Sequence, residues 1–83
     1  MGKRLGFIGI IIEDRNISAL KVNSILSDYG DIIAARVGLP YREKKCSVIT
    51  LIVDATTDEI GALSGKLGSL EGVSVKSALT KEK

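Results

Sequence analysis

The sequence has no histidine and no tryptophan, one cysteine and one proline. Each scarcity removes a class of chemistry. Without histidine there is no imidazole base, and the usual zinc and nickel sites lose their main ligand. A lone Cys46 cannot build a disulfide framework. Inside the apolar run "CSVITLIV" it reads as a small core residue and not as a nucleophile. No nucleophile stands beside a base, so no catalytic residue is expected, and neither is a metal or other cofactor. No apolar run reaches the ~18 residues that a membrane span needs. The basic residues before the first apolar run are not followed by a cleavage-type site. That end reads as a strand, and the expected compartment is the cytoplasm. Charge of one sign is also missing: 12 Lys and Arg against 10 Asp and Glu leave a net +2. Interspersed signs argue against a chain devoted to phosphate backbones.

What is present is aliphatic. The 83 residues fit one domain, 1–83, with an ordered core of about 3–79. "RLGFIGIIIE" alternates with period two, yet both of its sides are apolar. Leu5, Phe7 and Ile11 lie on one side; Ile8, Ile10 and Ile12 lie on the other. "CSVITLIVDA" behaves the same way, with Val48 and Ile52 on one side and Ile49, Leu51 and Val53 on the other. Such strands belong in a sheet buried on both faces.

Between these strands the period changes. Ala19, Val22, Ile25, Leu26 and Tyr29 share a face at helical spacing, with Asn16 placed to cap the start and Gly30 to end the helix in the left-handed region. "DIIAARVGL" reads as a strand over 32–39, stopped by Pro40. "TTDE" is a capping box, Thr56 with Glu59, opening a helix from Thr57 to about Leu70. Ile60, Leu63, Leu67 and Leu70 form its apolar stripe. Gly61, Gly65 and Gly68 cost that helix about 1 kcal/mol each relative to alanine, which suggests a neighbour's backbone close by. "VSVKSAL" is a final short strand.

The order strand, helix, strand, strand, helix, strand is the ferredoxin-like split βαβ pattern. The expected fold is therefore α+β: a four-stranded antiparallel sheet with two helices on one face. The strand order 4-1-3-2 puts the two most apolar strands in the middle and leaves proline and charge at the edges. One sheet face then stays bare. Isoleucine and valine fill both registers of the central strands, so a second copy of the chain is expected to cover it, as a homodimer or homotetramer. The residues expected there are Ile8, Ile10, Ile12, Val48 and Ile52. A bare face of roughly 350 Å² would give about 9 kcal/mol before the cost of association.

Two stretches are candidates for ligand contacts. In "RVGLPYREKK", Arg36 and Arg42 can grip a carboxylate or phosphate. Gly38 admits close approach, Pro40 fixes a turn and Tyr41 offers a flat ring with a polar tip. In "EDRN", Glu13, Asp14 and Asn16 stand between the first strand and the first helix. Lys3, Arg4, Arg42, Lys44 and Lys45 are the residues from which oligomer symmetry could build a basic patch for DNA.

"RVGLPYRE" and "TTDEIGALSGKLGSLEGVSVKSAL", with "GIIIEDR" and "KVNSILSDYG", resemble a bacterial family of iron-only hydrogenase system regulators, from about Arg4 to Leu79. The resemblance implies an ACT-like regulatory domain that assembles through its sheet and holds a small effector. It also makes a hydrogenase-related protein a possible partner. The family is similar in structure to the C-terminal domain of the nickel-responsive repressor. The lack of histidine means that no nickel site carries over. "EDRN" stands where many amino-acid-binding ACT domains have a glycine. The expected function is non-catalytic regulation through an effector or protein partner, with direct DNA contact as the alternative.

Overall fold

The computed structural model describes residues 2–13 and 15–81, with the side chains of all of these but 15–17. Its elements are β1 (Arg4–Ile12), α1 (Arg15–Asp28), β2 (Ile33–Tyr41), β3 (Cys46–Ala55), α2 (Thr57–Gly68) and β4 (Val73–Leu79). The strands form one antiparallel sheet in the order β2-β3-β1-β4. The two most apolar strands are central, as the sequence predicts.

The core lies between one sheet face and the two helices. Ile8, Ile10 and Ile12 of β1 and Leu51 and Val53 of β3 are fully or almost fully buried there. Val22 and Leu26 of α1 and Ile60, Leu63 and Leu67 of α2 cover them. The register corrects the face expected from the sequence. Ile8 pairs with Leu51 and Ile10 with Ile49, whereas Ile52 stands opposite Phe7 and Val48 opposite Ile11. Ile8, Ile10 and Ile12 therefore belong to the core. Val48 and Ile52 do lie on the open face, but beside Leu5, Phe7 and Ile11. Each strand alternates as its sequence predicts, but the expected face joins β1 and β3 in the wrong phase.

Helix α2 starts with both capping-box bonds. The Glu59 N–H donates to Thr56 Oγ1 at 3.1 Å, and the Thr56 N–H donates to Glu59 Oε1 at 2.9 Å. That second bond holds the Glu59 carboxyl below its ordinary pKa. The helix ends two residues earlier than expected, and Gly72, at φ 74°, makes the turn into β4. Gly61, Gly65 and Gly68 do not serve a close approach within the chain. A Cβ at any of them meets nothing within 4 Å among the described residues.

Helix α1 already includes Arg15, so Asn16 stands inside it and not before it. Gly30 does not turn left-handed; it opens a short 3-10 turn, Gly30–Ile32, that carries the chain into β2. Ser18, buried, donates from Oγ to the Glu71 carbonyl at 2.8 Å and ties α1 to the α2–β4 turn. Lys66 Nζ sits 5.1 Å above the Tyr29 ring and ties α2 to the residue that follows α1. Pro40 does not stop β2, which runs on to Tyr41. An edge strand can spare the missing N–H.

Gly6 is required where it stands. It pairs with Leu79, and a Cβ there would run into the Ala78 carbonyl and the Leu79 side chain.

Candidate functional site

The geometry around β2 begins with an irregularity. Ile33 pairs with Val53, but Ala35 pairs with Ile52, so the register shifts between them. This bulge reverses which residues face the helices. Ile33 packs against the core. Beyond the bulge, Arg36, Gly38 and Pro40 face the helix side, opposite Leu51, Ile49 and Ser47. Val37, Leu39 and Tyr41 pass to the open face.

A groove of about 270 Å³ lies between α1 and the helix side of β2. Ala19 and Asn23, one helical turn apart, form one wall. Arg36, Gly38 and Pro40 form the other, with backbone of Leu39 between them. Ile12, Ser47 and Ile49 complete the lining. Arg36 Nη2 donates to Asn23 Oδ1 at 3.1 Å, so a neutral amide orients the guanidinium across the groove. Among the described residues the lining carries one formal charge, that of Arg36.

Arg36, Gly38 and Pro40, three of the expected contact residues, stand together on the groove side of β2. Tyr41 is not with them; it lies on the opposite face, paired with Cys46. Arg42 is exposed in the Arg42–Lys44 turn at the hairpin tip. Glu13 is exposed, and its backbone N–H donates to the Gly72 carbonyl at 2.8 Å, away from the groove. Asp14 falls outside the described residues, and Asn16 is described by its backbone alone. Asn23 and Ser47 are not singled out by the sequence, and Ala19 reads there only as part of the apolar face of α1. The available signal was Ala19 and Asn23 at helical i, i+4 spacing, a small residue and an amide on one side of α1.

The open sheet face is the second feature. Leu5, Phe7, Ile11, Val37, Leu39, Tyr41, Val48 and Ile52 are between 36% and 69% exposed on a single chain. Gly9 lies among them in β1, opposite Thr50, with Phe7 and Ile11 on either side. The five basic residues considered for DNA do not cluster on one chain. Arg4 pairs with Ala55 at one end of β3, and the Arg42–Lys45 turn precedes Cys46 at the other, roughly 30 Å away along the strand. Among the described residues no group of His, Cys, Asp and Glu converges to hold a metal ion. None of the described helices is long and apolar enough to cross a membrane.

Solved structures share this architecture. The chain aligns with the uncharacterised protein TM1266 of Thermotoga maritima at TM-score 0.92 and 42% identity, covering 95% of this chain and 99% of that one. The ACT domain of GTP pyrophosphokinase from Chlorobium tepidum aligns at TM-score 0.77 and 23% identity, over 92% of this chain and 99% of that one. The C-terminal domain of the MgtC protein from Mycobacterium tuberculosis aligns at TM-score 0.74 and 13% identity, over 95% and 89%. The last two establish a shared fold, the ACT-like arrangement of the ferredoxin-like class. No curated protein matches the chain. The model of the TM1266-like family, described as "Iron-only hydrogenase system regulator, putative", matches residues 4–77. Motifs, topology and the 42% identical relative agree with that match, and the chain belongs to the TM1266-like family of iron-only hydrogenase system regulators.

Proposed function

We propose that this chain is a regulatory domain without catalytic activity. It assembles with copies of itself through the open face of its sheet, and a small effector in the groove between α1 and β2 shifts that assembly. Membership of a family of hydrogenase-system regulators supports the regulatory part.

The observation that carries the reading is the set of large apolar side chains on the open face, centred on Phe7, Ile11, Val48 and Ile52. A solvated face reads polar at alternate positions; here Thr50, Asp54, Ser74 and Lys76 are polar, while β1 and β2 present mainly large apolar side chains. The strands run to nine, nine, ten and seven residues. At ~4.8 Å between strands they give a face of roughly 500 Å² in projection, or about 1,000 Å² for two copies. That reaches the area at which specific interfaces begin. Gly9 fits the same picture. Its Cβ position is open, with the nearest described atom, the Lys76 carbonyl oxygen, at 3.9 Å, so the single chain does not demand a glycine there. The notch it leaves among Phe7 and Ile11 suits the close approach of a second sheet.

Sedimentation velocity at micromolar concentration tests the reading. The expected species is a multiple of the 8.8 kDa chain. Lone 8.8 kDa particles across the concentration range overturn it.

A further inference from the structure

We infer that the groove between α1 and β2 takes a small monocarboxylate with an apolar body, and that it rejects α-amino acids. This rests on the groove being the effector site of the proposed function and names the chemistry of its ligand.

Size comes first. At about 270 Å³ the groove falls just under the usual range for drug-sized ligands, so its occupant is a small molecule. Charge comes second. Among the described residues of the lining the Arg36 guanidinium is the one ionised group, and its hydrogen bond goes to the neutral Asn23 amide. The amide orients the fork but brings no negative charge to it. A carboxylate supplies both the charge and the planar pair of acceptors that a guanidinium matches. The remainder of the lining is mostly apolar, with Ile12, Ala19, Pro40 and Ile49 beside the Ser47 hydroxyl. That suits a hydrocarbon body, and inorganic phosphate would leave it uncovered.

The groove offers an ammonium group nothing comparable. Among the described residues no carboxylate lines it, Asn23 Oδ1 already accepts from Arg36, and the Arg36 charge repels a second cation. An amino acid would bring its ammonium beside the exposed Arg36 guanidinium, a like-charge contact that offsets the gain from its carboxylate.

Gly38 supplies an independent observation. It stands in mid-strand, where glycine weakens the sheet. Its φ is not in the left-handed region. A Cβ built on it would lie 3.9 Å from Ile49 Cγ1, an ordinary contact. Neither the backbone nor the packing of the chain asks for glycine there. The space it leaves is part of the groove, and an occupant explains why that space is kept.

The test is an NMR titration of the isotopically labelled full chain with sodium 4-methylpentanoate, leucine and inorganic phosphate. Leucine has the same branched body plus the ammonium group. Saturable shifts at the amides of Ala19, Asn23, Gly38 and Ser47 are expected with 4-methylpentanoate. Leucine and phosphate should bind at least about tenfold more weakly, and Arg36→Met should weaken 4-methylpentanoate by about tenfold or more. Gly38→Val, whose branched side chain suits a strand, should abolish the shifts while the spectrum stays dispersed. Absence of saturation, equal binding of leucine or phosphate, shifts centred elsewhere, or an Arg36→Met chain that binds as before each overturn the inference. Sedimentation of the same samples reads the assembly separately. Intact assembly without carboxylate binding removes the ligand class alone, and carboxylate binding by a monomer removes the assembly.

Discussion

Replacing Phe7 with serine separates a covered sheet face from a wet one. Phe7 sits in central strand β1, opposite Ile52, and is 52% exposed on a single chain. It takes no part in the buried core. An aromatic side chain carries roughly 200 Å² of surface, so about 100 Å² of Phe7 remains for a second copy to cover. At about 25 cal/mol per Å² that is ~2.5 kcal/mol from each chain. A two-fold axis presents the residue twice, so Phe7→Ser should cost an assembled dimer about 5 kcal/mol. The dissociation constant should rise by three to four orders of magnitude. Sedimentation equilibrium over a wide concentration range reads this directly. The isolated chain should lose up to about 2.5 kcal/mol, because the other half of Phe7, about 100 Å², is covered by its own chain, so chemical denaturation of the monomer is measured alongside. A Phe7→Ser chain that self-associates like the parent refutes the reasoning. So would a loss of monomer stability large enough to account for any change in assembly.

Gly6→Ala should destabilise the chain by about 1–3 kcal/mol in chemical denaturation, because the added methyl meets the Ala78 carbonyl and the Leu79 side chain. An unchanged midpoint would mean that β4 shifts freely. Ser18→Ala should cost about 1 kcal/mol by freeing the Glu71 carbonyl from its 2.8 Å bond; no loss would mean that water replaces the hydroxyl. Glu59 gives a pH-dependent case. Its folded pKa is lowered, chiefly by the hydrogen bond from the Thr56 N–H, so its ionised form is favoured by folding. That stabilisation is present above the ordinary glutamate range and is lost as the pH falls through the lowered value. Glu59→Gln should therefore be the less stable chain at neutral pH, and the difference should fade below the carboxylate range. A difference that persists in acid would assign the effect to packing.

The parts of the fold that were legible in the sequence are those fixed by local chemistry. Thr56 and Glu59 announce the start of α2 because both of their bonds lie within four residues. The six elements and their order follow from changes of hydrophobic period. The register between strands was not legible, because both sides of β1 and β3 are apolar and either phase buries isoleucine. Ile8 and Ile10 were for that reason placed on the wrong face. The bulge beside Ala34 was equally hidden, since no glycine or proline marks it, yet it decides that Arg36 and not Val37 faces α1. Gly30 and Pro40 misled for opposite reasons. A glycine after a helix suits a left-handed turn but does not compel one, and a proline ends a central strand but not an edge. Asn23 escaped notice because its role depends on a guanidinium that the bulge brings across from β2.

The same alternation makes β2 the natural link between the two surfaces. Arg36, Gly38 and Pro40 line the groove, and Val37, Leu39 and Tyr41, interleaved with them, stand on the open face. As an edge strand, β2 is held by sheet hydrogen bonds on one side only. A ligand bridging Arg36 to α1 restricts the strand that also presents Val37 and Leu39 to a second copy. Ordering once for both contacts favours binding them together. The expected coupling is positive, at about fivefold or more, and linkage requires it to be reciprocal. Saturating 4-methylpentanoate should therefore tighten self-association by the same factor by which self-association tightens 4-methylpentanoate. Measuring both constants closes the cycle. Equal ligand affinity for assembled and dissociated chains would show that β2 is already rigid, and that the effector and the assembly occupy the same strand without communicating.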